Sequence, residues 1–251
     1  MKKIKFIVFA VALATMLQFN AVYAQTSTFD QVHLFQTFFE DASMSRTPYG
    51  QISLRYSDYD QLSSIYLPVQ AAIPLGDQKE FQLGAELGFI NTNPEIGDGE
   101  SGLSDLKVIG RYNFPTSSYT KIAAGGYITL PVGKEEAGYG NVNFGGFGSV
   151  RHPLTKDVVL TGTVMLEFLE SVNDDRESSL LFAVGSIYQV SPKMYLIGEL
   201  NLKTEGDYGL LSAGMDYRLS PDGCFRGMLG FGLDDGAPDL ALQVGYHMFF
   251  N

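Results

Sequence analysis

GLSDLKVIGRYNFPTSSYTKIAAGGYITLP, residues 102–131, decides the fold. Two arms alternate small or apolar with polar residues, and PTSS (115–118) joins them. Leu106, Val108, Gly110, Tyr112 and Phe114 fall on one side of the first arm, and Asp105, Lys107, Ile109 and Arg111 on the other. The second arm sets Ile122, Ala124, Gly126, Ile128 and Leu130 against Lys121, Ala123, Gly125, Tyr127 and Thr129. Successive side chains of a strand point to opposite faces, so this is a hairpin with one apolar and one polar face. Each arm exceeds the ~5–6 residues of an ordinary globular strand and suits a tilted strand crossing a bilayer.

The unit recurs along the chain. Alternating segments occupy 50–57, 64–73, 80–90, 142–151, 157–168, 180–190, 194–202, 208–219, 224–233 and 239–250, about twelve strands with the opening pair. One set of connections is short and marked by Pro74, Pro115, Pro153, Pro192 and Pro221. Proline cannot donate to a ladder and belongs at strand ends and turns. The other set is longer and acidic, with sixteen Asp and Glu against Lys134, Arg176 and Lys203. Short turns at one rim and long loops at the other predict an all-β fold, a transmembrane antiparallel up-and-down β-barrel over 49–251. A soluble sandwich would show shorter strands and closer turns. Leu242, Val244, Tyr246, Met248 and Phe250 align on the apolar face of the closing segment. A terminal aromatic of this kind is an assembly signal in many bacterial outer-membrane barrels; here Asn251 follows it.

The chain has 251 residues, 28 glycines, one cysteine and a formal net charge of −11. Removing Lys2, Lys3 and Lys5 leaves −14, so nearly all the net charge sits in the acidic loops. Residues 1–24 read as a secretory signal, with a basic start, the apolar core IVFAVALATML and Val22-Tyr23-Ala24 before the cut. No run of 18 apolar residues follows it, so the sequence offers no spanning helix. Cys224 has no partner for an intramolecular disulfide. Residues 25–48 carry no clear period and form an N-terminal periplasmic segment of open structure: a short strand, an amphipathic helix, or a segment tucked under the barrel.

SGLSDLKVIGRYNF (101–114) followed by GGYITLPVGKEEAG (125–138) resembles the core of the family called "MetA-pathway of phenol degradation". The family pattern opens a strand with G-(L/F)-x-D-(L/I), places a Tyr near its end, and leaves the next strand with L-P-T-G. Gly102, Leu103, Asp105, Leu106, Tyr112, Leu130, Pro131 and Gly133 match it, and Val132 departs from the usual Thr. The resemblance covers roughly 40 residues. It implies an outer-membrane β-barrel assigned as a transporter, and no settled substrate.

About twelve strands enclose a lumen between the filled eight-stranded barrel and the open porins. Lys107, Lys121, Asn143, Glu167, Asn201, Gln243 and His247 are inward-facing. So are the candidates for a lumen or constriction: Arg111, Arg151, Arg218, Arg226, Glu86, Glu199 and Asp216. Opposite charges paired across the lumen would fill it; alternatively, the four arginines, all beside Pro-marked turns, would form a basic constriction. The acidic loops would either solvate the rim or bind lipopolysaccharide through divalent cations.

Chemistry has little support. His33, His152 and His247 stand in no serine or metal-ligand pattern, GYGNVNFGGFG (138–148) lacks the lysine of a phosphate loop, and a pI near 4.6 argues against nucleic acid. The expectation is a porin-like, non-enzymatic channel of the Gram-negative outer membrane, without a cofactor, monomeric or weakly oligomeric. It would pass a small solute, with aromatic and hydrophobic ones as candidates. Its partners would be outer-membrane lipids, lipopolysaccharide and the barrel-assembly machinery, with loops outside and both termini periplasmic. The alternatives are a structural or surface-interaction barrel with a side-chain-filled lumen and, further off, a lipid-modifying enzyme.

Overall fold

The computed structural model describes residues 29–116, 118–133, 140–170 and 176–250. The predicted signal, the cleavage site and parts of two acidic loops lie outside these. The strands are β1 (Tyr49–Tyr59), β2 (Leu62–Leu75), β3 (Phe81–Pro94), β4 (Glu100–Leu103), β5 (Leu106–Phe114), β6 (Lys121–Leu130), β7 (Phe144–Pro153), β8 (Val158–Glu170), β9 (Arg176–Ser191), β10 (Met194–Lys203), β11 (Gly209–Ser220), β12 (Gly223–Gly232) and β13 (Leu240–Phe249). Strands consecutive in sequence pair antiparallel, except that β5 pairs with β3 instead of the short β4, and β13 returns to β1 with Phe249 opposite Tyr49. The result is a closed antiparallel barrel. Its thirteen strands make twelve staves, because β4 and β5 both lie along β3. Closure leaves no unpaired edge, which lets a sheet stand in hydrocarbon.

The predicted arm 102–114 is thus broken, at Ser104–Asp105. Phe89 faces Leu103 but Glu86 faces Lys107, so the β4–β5 side carries one extra residue, a β-bulge. Ser104 holds it by donating its amide to the Gly88 carbonyl at 2.8 Å and accepting the Gly88 amide on Oγ at 2.9 Å. Gly133 packs against the same bulge, where a Cβ would sit 2.4 Å from the Leu103 carbonyl oxygen. The two ends of the family-like motif, G-L-x-D and L-P-x-G, therefore meet at one backbone irregularity.

The alternation sorts the side chains as predicted. Ile65, Leu67, Val69, Ile73, Leu83, Phe89, Ile128, Leu229, Leu242 and Val244 are exposed on the outside, while Gln51, Gln70, Gln82, Thr161, Thr163, Glu199, Ser212 and Gln243 are buried within. An apolar band around a polar interior is stable against lipid chains, not against water. The short connections 76–80, 115–120, 154–157, 192–193 and 221–222 share one rim, the turn rim, and the remaining connections share the loop rim.

Candidate functional site: a plugged lumen and its vestibule

Residues 29–48 run inside the barrel. After one 3₁₀ turn at Phe29–Gln31, the segment climbs from the turn rim to about mid-barrel at Phe35–Thr37 and descends to enter β1. Phe29, Val32, Leu34, Phe35, Phe38, Phe39 and Ala42 are buried against wall residues that include Tyr195, Ile197, Leu210, Ile109 and Met165. Wall glycines make room for the largest of them. A Cβ at Gly214 would lie 2.6 Å from the Phe35 ring, and one at Gly84 2.9 Å from that of Phe39.

An irregular segment cannot satisfy its own backbone, and buried amides and carbonyls need partners. The wall supplies them. Glu199 on β10 accepts the amides of Phe35 (3.0 Å), Gln36 (3.1 Å) and Thr37 (3.2 Å), together with the Thr37 hydroxyl (3.2 Å). Arg111 on β5 donates to the carbonyls of Phe39 (3.0 Å), Asp41 and Ser43 and to the Gln82 side chain. Arg151 on β7 donates to the carbonyls of Phe29 (2.8 Å) and Val32 (2.9 Å). Arg226 on β12 reaches the His33 carbonyl, Gln51 (2.7 Å) and Asp216 (2.7 Å), with its guanidinium 4.5 Å from the Phe35 ring centre. The fixed fork of five guanidinium donors suits several carbonyls at once.

Charge is matched as well. The three acids of the segment each meet a wall cation: Asp30 meets Lys121, Glu40 meets Lys107 at 2.6 Å, and Asp41 meets Arg151. Thr161 adds a hydrogen bond to Asp41 at 2.7 Å. Such pairs add little where wet, but removing one partner of a fully buried pair costs about 3–5 kcal/mol.

Of the seven predicted lumen residues, Arg111, Arg151, Arg226 and Glu199 hold the segment directly, and Asp216 orients Arg226. Arg218 stands apart, half-buried, with its guanidinium 5.5 Å from the Tyr195 ring centre. Glu86 lies above the plug tip, bonded to Tyr66 Oη (2.9 Å) and Gln70. His33 stacks on Tyr49 at 4.5 Å between ring centres, lies 5.1 Å from His247, and shares a hydrogen bond with Ser43 Oγ at 2.9 Å. Burial, reinforced by His247 and then Arg226, Arg151 and Arg111, holds the His33 pKa well below its ordinary value. This Ser–His pair is sealed within the plug, with both residues fully buried.

Above the tip the lumen is open. One cavity of about 450 Å³ extends from Gln36 toward the loop rim, lined by residues including Arg55, Tyr66, Glu86, Tyr208, Leu210 and Met228. A second, of about 210 Å³, shares Gln36, Lys107 and Tyr208 with it. The sequence places Arg55 on the polar face of β1, but its role beside this cavity depends on the plug beneath it.

No family model and no curated protein matches the sequence. The fold does match solved structures. The COG4313 outer membrane channel from Pseudomonas putida F1 aligns with a TM-score of 0.68 at 14% identity, over 86% of this chain and 100% of that one. The KdgM porin, solved with disordered oligogalacturonate, gives 0.59 at 13% identity over 80% and 99%, and the NanC porin 0.55 at 11% over 80% and 100%. At these identities the likeness establishes the fold alone, a closed antiparallel β-barrel of the outer-membrane type.

Proposed function

We propose that this protein is a non-enzymatic channel of the bacterial outer membrane for a small solute, aromatic and hydrophobic ones being the leading candidates. Its own N-terminal segment closes it in the conformation described. One observation carries the reading: residues 29–48 fill the turn half of the lumen through side-chain contacts, while a cavity of about 450 Å³ stays open above them. The turn rim is then periplasmic, with both termini, and the loop rim is extracellular. Arg111, Arg151 and Arg226 latch the plug when closed and form a basic constriction when it leaves.

The fully paired charges of the plug favour a second reading, a structural barrel whose plug never moves. Conductance in planar bilayers separates the two. The intact protein should show small or intermittent conductance, and a variant lacking residues 29–47 a large and steady one. A deletion variant that stays silent while retaining heat-modifiable migration on gels would sink the channel.

A further inference from the structure

Arg55 differs from the other buried or half-buried cations of the lumen. Lys107, Lys121, Arg151 and Arg226 each face a carboxylate, and Arg111 uses both terminal nitrogens on three plug carbonyls and the Gln82 side chain. Arg55 donates only to neutral acceptors, Nε to Gln243 Oε1 at 2.9 Å and Nη2 to the Phe35 carbonyl at 3.4 Å. Among the described residues its Nη1 makes no hydrogen bond and no carboxylate pairs with it. Glu86, the nearest acid in the cavity wall by strand order, is held by Tyr66 and Gln70. A half-buried guanidinium without a counter-ion forgoes the Coulomb gain that would offset its desolvation, and its planar fork matches a carboxylate.

The wall beside it is of another kind. Gln243 lies opposite Arg55 on one side and Met228 on the other, so Met228 follows two strands away at the same level. Leu210 and Ala241 extend this apolar patch, and all three are buried. The Tyr208 ring lines the same cavity, and its hydroxyl has no hydrogen bond among the described residues. A cation and a free hydroxyl beside an apolar, partly aromatic wall suit neither a hydrocarbon, which would leave Arg55 unpaired, nor a sugar, whose hydroxyls would meet Leu210 and Met228. The volume, about 450 Å³, falls within the range of small-molecule sites.

The geometry points to a subsite for a small organic monocarboxylate with an apolar or single-ring body, its carboxylate on Arg55 and its body on Leu210, Met228 and Tyr208. It deepens the channel reading by naming the solute class, yet binding can be measured without transport.

The probes are benzoate, benzyl alcohol and acetate, titrated calorimetrically into the full-length protein in detergent. Benzoate should bind at least about tenfold more tightly than the other two, since only it uses both charge and body. Arg55→Gln should bring benzoate down to the level of benzyl alcohol while heat-modifiable migration persists. Met228→Glu, which leaves Arg55 in place but gives it a carboxylate, should abolish benzoate binding independently. Equal binding of benzoate and benzyl alcohol would overturn the proposal, as would equal binding of benzoate and acetate, or an Arg55→Gln variant with unchanged benzoate affinity. A barrel that conducts but ignores benzoate sinks the subsite alone; one that binds benzoate but is silent in bilayers sinks the channel alone.

Discussion

The Phe35 amide donates to Glu199 Oε2 at 3.0 Å across 164 positions of sequence, and the next two amides turn to the same carboxylate. One side chain of the wall thus fixes the highest point of the plug. Glu199→Ala leaves the buried amides of Phe35 and Thr37 without an acceptor, each costing about 1–3 kcal/mol, and frees the part-buried amide of Gln36. The plug should loosen while the barrel stays closed. A cysteine at Gln36 should then react several-fold faster with a thiol reagent in the Glu199→Ala background than in the native one. Equal rates would mean that apolar packing alone holds the tip.

Acid should act in the same direction. His33 is held neutral by burial, with His247, Arg226, Arg151 and Arg111 adding repulsion and Asp41 paired away on Arg151. In the plugged state its pKa lies below the ordinary value, so the released segment binds more protons below about pH 6.5. The histidine therefore favours the plug fully above that pH and loses this contribution as pH falls toward the depressed pKa. Conductance or Gln36→Cys labelling should rise between pH 7.5 and 5. His33→Phe, which keeps the ring against Tyr49, should flatten the response.

The arginine latch makes a prediction about selectivity. With residues 29–47 removed, Arg111, Arg151 and Arg226 lose the carbonyls and the carboxylate they now hold. Their field should then favour anions, and the exposed acids of the loop rim, screened beyond ~8 Å at physiological salt, should not reverse it. Reversal potentials in a salt gradient measure this. Cation preference would show that Asp216 and Glu199 dominate the opened lumen.

Orientation and the lipid face can be checked on cells. Cysteine at Asp98 should react with an impermeant maleimide, and cysteine at Thr116, on the opposite rim, should not. Leu67→Arg, on the exposed apolar band, should hinder assembly by about 2–4 kcal/mol near the midplane. Ser64→Arg, facing the cavity, should assemble better.

The strands were legible because a two-residue period is local: Val108 against Ile109, or Val244 against Gln243, declares its side without knowledge of any partner. The inward direction of Arg111, Arg151, Arg226 and Glu199 followed from the same parity. Their partners did not. Residues 29–48 have almost no regular structure, and the hydrogen bonds and ion pairs that stabilise them come from seven different strands, so no window of sequence holds both halves of the interaction. The break at Ser104 escaped for a related reason. A bulge is defined by the register of β3 against β4 and β5, and the alternation of 102–114 looks unbroken on its own.

The plug is translated before any strand, yet its binding surface is completed only by the last. His33 and Phe38 lie against His247 on β13, and Phe250 donates its amide to the Pro48 carbonyl where the segment joins β1. During biogenesis the segment therefore has no complete site to fill until β13 has found β1. Because it both enters and leaves at the turn rim, it can fold in afterwards without threading through the ring. Its insertion records that the final seam has closed, and a barrel stalled one strand short would carry its first residues loose and open to proteolysis.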